Sequence, residues 1–209
     1  MKRLLLAALV AAPVALAAQQ PLPVEPPPIR GGLFATISPL AMASLRSKDL
    51  TGGETRSGSG FAAAVGYGLT TRLTILGDLT VTDLVLEPGS SYNLYHAEMF
   101  VRPSLKPIRV GRTEIVGFLD AGGGLVKISG LRPNIGFVEK HGFSGSFITF
   151  GLGTSVFVSH TFAVTATGHG SFGTFSDEKT GSVTAGNFSI GAGLLRAAFG
   201  VSWHPQRPR

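Results

Sequence analysis

Cysteine is absent from the chain. That excludes a disulfide-stapled scaffold, thiolate metal ligands and a lipid anchor attached to a cysteine. Charge is scarce as well. Only 14% of residues are Asp, Glu, Lys or Arg, whereas the surface of a soluble domain carries roughly 25–35%. The formal charge of +6 is scattered, and no Lys/Arg run offers a nucleic-acid patch. Long apolar runs are missing after residue 16, so nothing approaches the ~20 consecutive residues of a spanning helix. A 3.6-residue period and a repeat of 20–50 residues are also missing. What is present is glycine, 29 residues of it, in a chain that is 44% hydrophobic. A chain too apolar for water and without a spanning helix leaves one class: a closed β-barrel whose strands cross an outer membrane.

The N-terminus is set aside before fold reasoning. Lys2 and Arg3 precede an apolar run from Leu4 to Leu16, and Ala15-Leu16-Ala17 fits an A-x-A cleavage site. Residues 1–17 are therefore expected to be a Sec-type secretory signal peptide. Residues 18–30 carry Pro21, Pro23, Pro26, Pro27 and Pro28. They are expected to form an extended, Pro-rich periplasmic lead-in. Export further disfavours a nucleic-acid partner.

From residue 31 the chain alternates. Eight strand-like segments are expected, at about 32–45, 58–69, 73–85, 92–105, 113–128, 144–158, 162–175 and 187–203. Short connections (69–72, 106–112, 159–161) alternate with longer polar ones (46–57, 87–91, 129–142, 176–186). Each segment reaches the ~9–11 residues a tilted crossing needs. Val65, Tyr67, Leu69, Ile75 and Leu79 share one face, opposite Ala64, Gly66, Gly68, Thr74 and Asp78. The same split puts Tyr95, Ala97, Met99 and Val101 opposite His96, Glu98, Phe100 and Arg102. A soluble barrel of the lipocalin kind also alternates, with its apolar face inward. Its other face would meet water and carry Lys and Glu. Here the other face is mostly Gly, Ala, Ser and Thr with about one charge per strand, which suits a crowded eight-stranded lumen. The apolar face is then expected to meet lipid.

The signal peptide, the eight segments, the Gly66-Tyr67-Gly68-Leu69 turn and a last strand ending in Phe199, Val201 and Trp203 resemble the small OmpA/OmpX-type outer-membrane barrels. The resemblance implies an all-β fold: an eight-stranded antiparallel up-and-down transmembrane β-barrel over residues 31–203. It implies a monomer in the outer membrane, both termini in the periplasm, handled by the barrel-assembly machinery during insertion. Residues 204–209 then form a short periplasmic tail after the terminal aromatic.

The inward charges are Asp78, Glu98, Arg102, Asp120 and Arg196, with His96 and His169 among them. Unpaired charges at mid-barrel height would be costly, and two arginines can pair with three acids. A salt-bridged structural plug is the expected role, with a gated narrow pore as the alternative. A third reading rests on His169-Gly170-Ser171 with Glu178 following. Outer-membrane lipid A deacylases, also eight-stranded barrels, use a His-x-Ser pair with a distant Glu. In that family the groups face lipid, whereas His169 and Ser171 are expected inward, and Phe172 stands where the family's Asn would be. Gly168, Gly170 and Gly173 spell G-x-G-x-x-G without the following helix a dinucleotide site needs. Gly122-Gly123-Gly124 lacks the Lys and hydroxyl of a phosphate loop. No catalytic residues, cofactor or metal are expected. The role is expected to be structural, adhesive or one of lipopolysaccharide contact, with outer-membrane lipids and lipopolysaccharide as partners. Basic loop residues such as Arg46, Lys48, Arg56, Arg132 and Lys140 are the candidates for the lipopolysaccharide phosphates.

Overall fold

A computed structural model describes residues 32–86, 91–111, 113–134, 137–180, 183–185 and 189–205. The expected signal peptide, the lead-in and residues 206–209 lie outside the described residues. The elements are β1 (Gly32–Arg46), α1 (Lys48–Thr51), β2 (Thr55–Gly68), β3 (Leu73–Leu84), β4 (Ser91–Pro103), β5 (Ile108–Val110), β6 (Thr113–Asn134), β7 (Phe137–Phe157), β8 (Phe162–Thr180), β9 (Val183–Ala185) and β10 (Ile190–Trp203). Eight long strands pair antiparallel with their chain neighbours, and β10 returns to pair with β1. The ring is closed, so the wall has no free edge. Short β5 continues the β4 side of the β6 ladder, and short β9 extends the far end of β8.

Two of the tight turns are built alike. At residues 69–72 the Thr70 hydroxyl accepts from the Arg72 and Leu73 amides, and Leu69 N donates to Leu73 O at 2.8 Å. At residues 158–161 the Ser159 hydroxyl accepts from the Thr161 and Phe162 amides. A hydroxyl that caps two amides closes each four-residue loop without glycine. The rim opposite these turns is more elaborate. Ser47 caps the single turn α1, which ends on Gly52 at φ 63°, where the left-handed conformation favours glycine.

The strands run further toward that rim than the alternation predicts. β2 begins at Thr55 rather than 58, β6 runs to Asn134, β7 starts at Phe137 and β8 reaches Thr180, whereas β10 starts later than expected, at Ile190 rather than 187. The expected loops 129–142 and 176–186 are thus largely strand. Their composition is turn-like, but β6, β7 and β8 satisfy one another's backbone groups there. Pro133 is tolerated because β4 stops pairing at Leu131, leaving β6 a single neighbour. Pro39, inside the first strand, coincides with a register shift between Ile37 and Leu40, a bulge that absorbs the missing donor.

The expected facing holds through the lower wall. Val65, Ile75, Met99, Leu119, Leu152 and Leu195 are exposed on the outside, while Glu98, Phe100, Asp120 and Arg196 are buried in the lumen. Near the far rim the pattern inverts. Outward positions become polar at Asp83, Asn93, Lys127, Ser146 and Thr174, while inward ones become large and apolar at Leu84, Leu94, Ile128, Phe147 and Phe175. The lumen is therefore layered rather than lined throughout by small residues, which corrects the sequence reading. An outer apolar cluster includes Leu45, Leu84, Tyr92, Leu94, Val126 and Phe175, with Leu50 of α1 packed on it. An inner cluster holds Phe34, Leu76 and Phe100. The charges lie between.

Gly66 belongs to the inner layer. A Cβ there would strike the Phe34 ring and Leu76. Gly66→Val is expected to cost about 1–3 kcal/mol by overpacking, read as a lower midpoint of urea unfolding in lipid vesicles. An unchanged midpoint would show that the Phe34 ring is free to move aside.

Candidate functional site

The charged layer consists of two networks. In the first, Arg102 of β4 forks onto Asp120 of β6, with Nε to Oδ1 at 2.7 Å and a terminal nitrogen to Oδ2 at 2.8 Å. His169 of β8 bonds the same Oδ2 through Nε2 at 2.9 Å. Each of the two donors rests on an aromatic face of the lumen wall. The Arg102 guanidinium carbon lies 3.8 Å from the Phe118 ring centroid, and His169 stacks on Phe100 at 5.0 Å. A fork, a ring contact and a second donor together fix the Asp120 carboxylate in one orientation.

In the second network, Arg196 reaches from β10 across the lumen. One terminal nitrogen bonds Glu98 of β4. The other lies 3.2 Å from Asp78 Oδ1 and 3.2 Å from Thr80 Oγ1, both on β3. Thr80 donates to Asp78 at 2.9 Å. Thr149 of β7 donates to Glu98 Oε1 at 2.5 Å and lies 2.8 Å from the Ser171 hydroxyl of β8. The alternation explains the placement. Period two puts Asp78 and Thr80, Glu98 and Phe100, and His169 and Ser171 on one face, and the closed ring turns those faces toward one another.

Six of the seven sequence-predicted residues are thus joined: Asp78, Glu98 and Arg196 in one network, Arg102, Asp120 and His169 in the other. The seventh, His96, faces inward and is fully buried, opposite Thr80 and Val126 on the flanking strands. Neither of its ring nitrogens has a hydrogen-bond partner among the described residues. Sequence reasoning missed Thr80 and Thr149, which neutral side chains do not advertise, and singled out Ser171 only beside His169. Their one signal is inward parity, which for Thr80 is shared with the charge of Asp78 two residues away.

Glu178 does not approach His169. It accepts from His141 Nε2 at 2.8 Å, and the other ring nitrogen of His141 faces the Tyr92 hydroxyl at 3.2 Å. This chain ties β4, β7 and β8 at the outer mouth. His169 and Ser171 are both buried in the lumen and neither faces outward; the carboxylate on His169 is Asp120 of β6, not Glu178. A hydroxyl ladder closes the inner half: Ser155, Thr165, Ser202 and Thr36 link β7, β8, β10 and β1 at 2.7–3.1 Å. His204, expected in the tail, instead belongs to the barrel. Its amide donates to Thr161 O at 2.7 Å, and its ring packs at 5.3 Å from Phe34 and 5.1 Å from Phe157.

Chemically, the arrangement neutralises and immobilises. Three carboxylates meet two guanidiniums, one imidazole and a set of hydroxyls. Among the described residues no group of three or more His, Asp or Glu is arranged to hold a metal ion.

No protein-family model matches the chain, and no curated protein does. Solved structures do. Neisserial surface protein A (NspA) aligns over 83% of this chain and 97% of its own, at 16% identity and a TM-score of 0.58. The outer membrane protein OprG from Pseudomonas aeruginosa aligns over 88% and 100%, at 8% identity and 0.50. AlkL, an outer membrane protein solved in DMPC bilayers, aligns over 91% and 98%, at 10% identity and 0.50. At such identities the likeness is one of fold, that of small outer-membrane barrels.

Proposed function

We propose that this chain is an exported outer-membrane barrel with a structural, adhesive or lipopolysaccharide-contact role, a monomer without enzymatic activity whose lumen does not conduct. The inversion of the outward face carries the reading. The outside of β6 is apolar from Ile115 to Leu125, and near the far rim the outward positions Asp83, Asn93, Lys127, Ser129, Ser146 and Thr174 are polar while Leu84, Leu94, Ile128, Phe147 and Phe175 fill the inside. Ten residues of tilted strand span about 25 Å, the height of a lipid-facing band. A soluble barrel would have kept one phase along its whole length. The three long extensions β6, β7 and β8 then stand in water beyond the bilayer, and the wall begins at Gly32 and ends at Trp203 on the opposite, periplasmic rim.

The sealed lumen supports a structural role over transport. An ion would have to pass an outer layer of Tyr92, Leu94, Val126 and Phe175, then two arginine–carboxylate networks, then Phe34, Leu76 and Phe100. Planar-bilayer recordings of the purified protein are expected to show no stepwise conductance. Steps that vanish on replacing Arg102 or Arg196 would favour the narrow pore instead. Incubation with lipid A is expected to release acyl chains only at the background rate. Release that is lost in His169→Ala would favour the lipid-modifying enzyme and overturn the inward facing of His169.

A further inference from the structure

Among the basic residues named from the sequence as phosphate ligands, two are already engaged. Arg46 donates through Nε to Gly53 O at 3.0 Å, and Arg56 pairs with Glu54 at 2.8 Å. Lys127 differs. It stands outward and exposed in the wall of β6 and makes no hydrogen bond or ion pair among the described residues. Directly across the ladder, on β4, stands Tyr95, outward and 36% exposed, its hydroxyl also uncommitted. The outward acids Asp83 and Asp177 each stand two strands away, about 10 Å.

We infer that Tyr95 and Lys127 form a site for the phosphate of an anionic glycolipid in the outer leaflet. The inference rests on the outer-membrane reading above. The two outward rows beneath the pair are bare hydrocarbon, Leu125 opposite Ala97 and then Met99 opposite Gly123, with Leu125 65% and Met99 66% exposed. The row above is Asn93 opposite Ser129. The ligand therefore has acyl chains that lie on Met99 and Leu125 and an acidic group at the height of the ammonium. Lysine binds phosphate as a compact charge with three donors, and a tyrosine at this depth keeps its ring in the interface and its hydroxyl toward the head group. An uncommitted ammonium at the top of an apolar wall gains more from a phosphate than from water, because one face of its surroundings is lipid.

The test uses the full-length protein in detergent micelles, with native mass spectrometry reading retained lipid. Three probes are offered: bisphosphorylated lipid A, the same lipid dephosphorylated, and phosphatidylglycerol. Wild type is expected to hold the bisphosphorylated form well above the other two. Lys127→Gln should lower that retention about fivefold, Lys127→Arg should keep it, and Lys48→Gln on α1 should leave it unchanged. Equal retention of phosphorylated and dephosphorylated lipid A, or a Lys127→Gln variant that retains as wild type does, overturns the site. Phosphatidylglycerol held as tightly as lipid A overturns the glycolipid assignment. Each sample is also run unboiled and boiled on a gel. A wild type with no compact unboiled form sinks the barrel reading itself, whereas a compact wild type without discrimination sinks the site alone.

Discussion

Arg196→Met is expected to lower the unfolding free energy by about 3–5 kcal/mol, the cost of leaving buried carboxylates without their cation. Arg196 is the only guanidinium on Glu98 and Asp78 among the described residues. The Glu98 side chain is 0% exposed, so water cannot replace the lost partner. Thr149 alone would hold one of its oxygens. The same substitution combined with Glu98→Gln and Asp78→Asn should recover most of the loss. Neutral amides of nearly the same shape remove the charges whose isolation is costly. The recovery separates an electrostatic lock from a packing effect, since both variants lack the arginine. Urea titration in lipid vesicles reads both. A single variant as stable as wild type, or a triple variant no better than the single one, would contradict the lock.

Leu152→Arg is expected to cost about 2–4 kcal/mol, whereas Thr174→Arg should cost no more than about 1 kcal/mol. Leu152 lies halfway along the apolar outside of β7, between Ile148 and Val156, and is 65% exposed. Thr174 also faces outward, but at the height where the wall turns polar. Both arginines would point away from the lumen and clash with nothing inside. Only the surrounding medium distinguishes them. In water an arginine at Leu152 would be neutral or better, because it covers an exposed apolar position with a solvated head. The sign of the effect at Leu152 therefore decides what the outside of the barrel touches. Equal costs at the two positions would mean that the polar row does not mark a membrane boundary.

Much of this was legible in the sequence, and the part that was not has a physical cause. Alternation at Val65, Tyr67, Ile75 and Leu79 predicts the strands, because period two is a local property, and the small, nearly uncharged residues of the opposite face decide which side faces out. The inward charges follow from the same parity. Which of them meet does not. Arg196 reaches Asp78 and Glu98 across the lumen, and that match is set by the tilt and stagger of a closed ring rather than by any spacing along the chain. His96 has the right parity and still joins neither network. The outer rim is hidden in the sequence for another reason. Beyond the apolar band the rule of apolar-out reverses, so Leu84, Leu94 and Ile128 fill the lumen, and stretches such as Ser129-Gly130-Leu131-Arg132-Pro133-Asn134 look like loop. Their ladder comes from neighbouring strands, not from their own composition. His204 reads as tail because it follows the last aromatic of the alternation. Its packing against Phe34 and Phe157 depends on chain ends that the sequence does not bring together.

The central claim is that the apolar outside of this ring is buried by a bilayer. It is tested most directly by fractionating cells that express the full chain and running the membrane and soluble fractions on a gel with and without boiling. The account predicts a protein in the outer-membrane fraction that migrates as a compact band unboiled and shifts on heating. A soluble periplasmic protein whose mobility is the same in both lanes would contradict it.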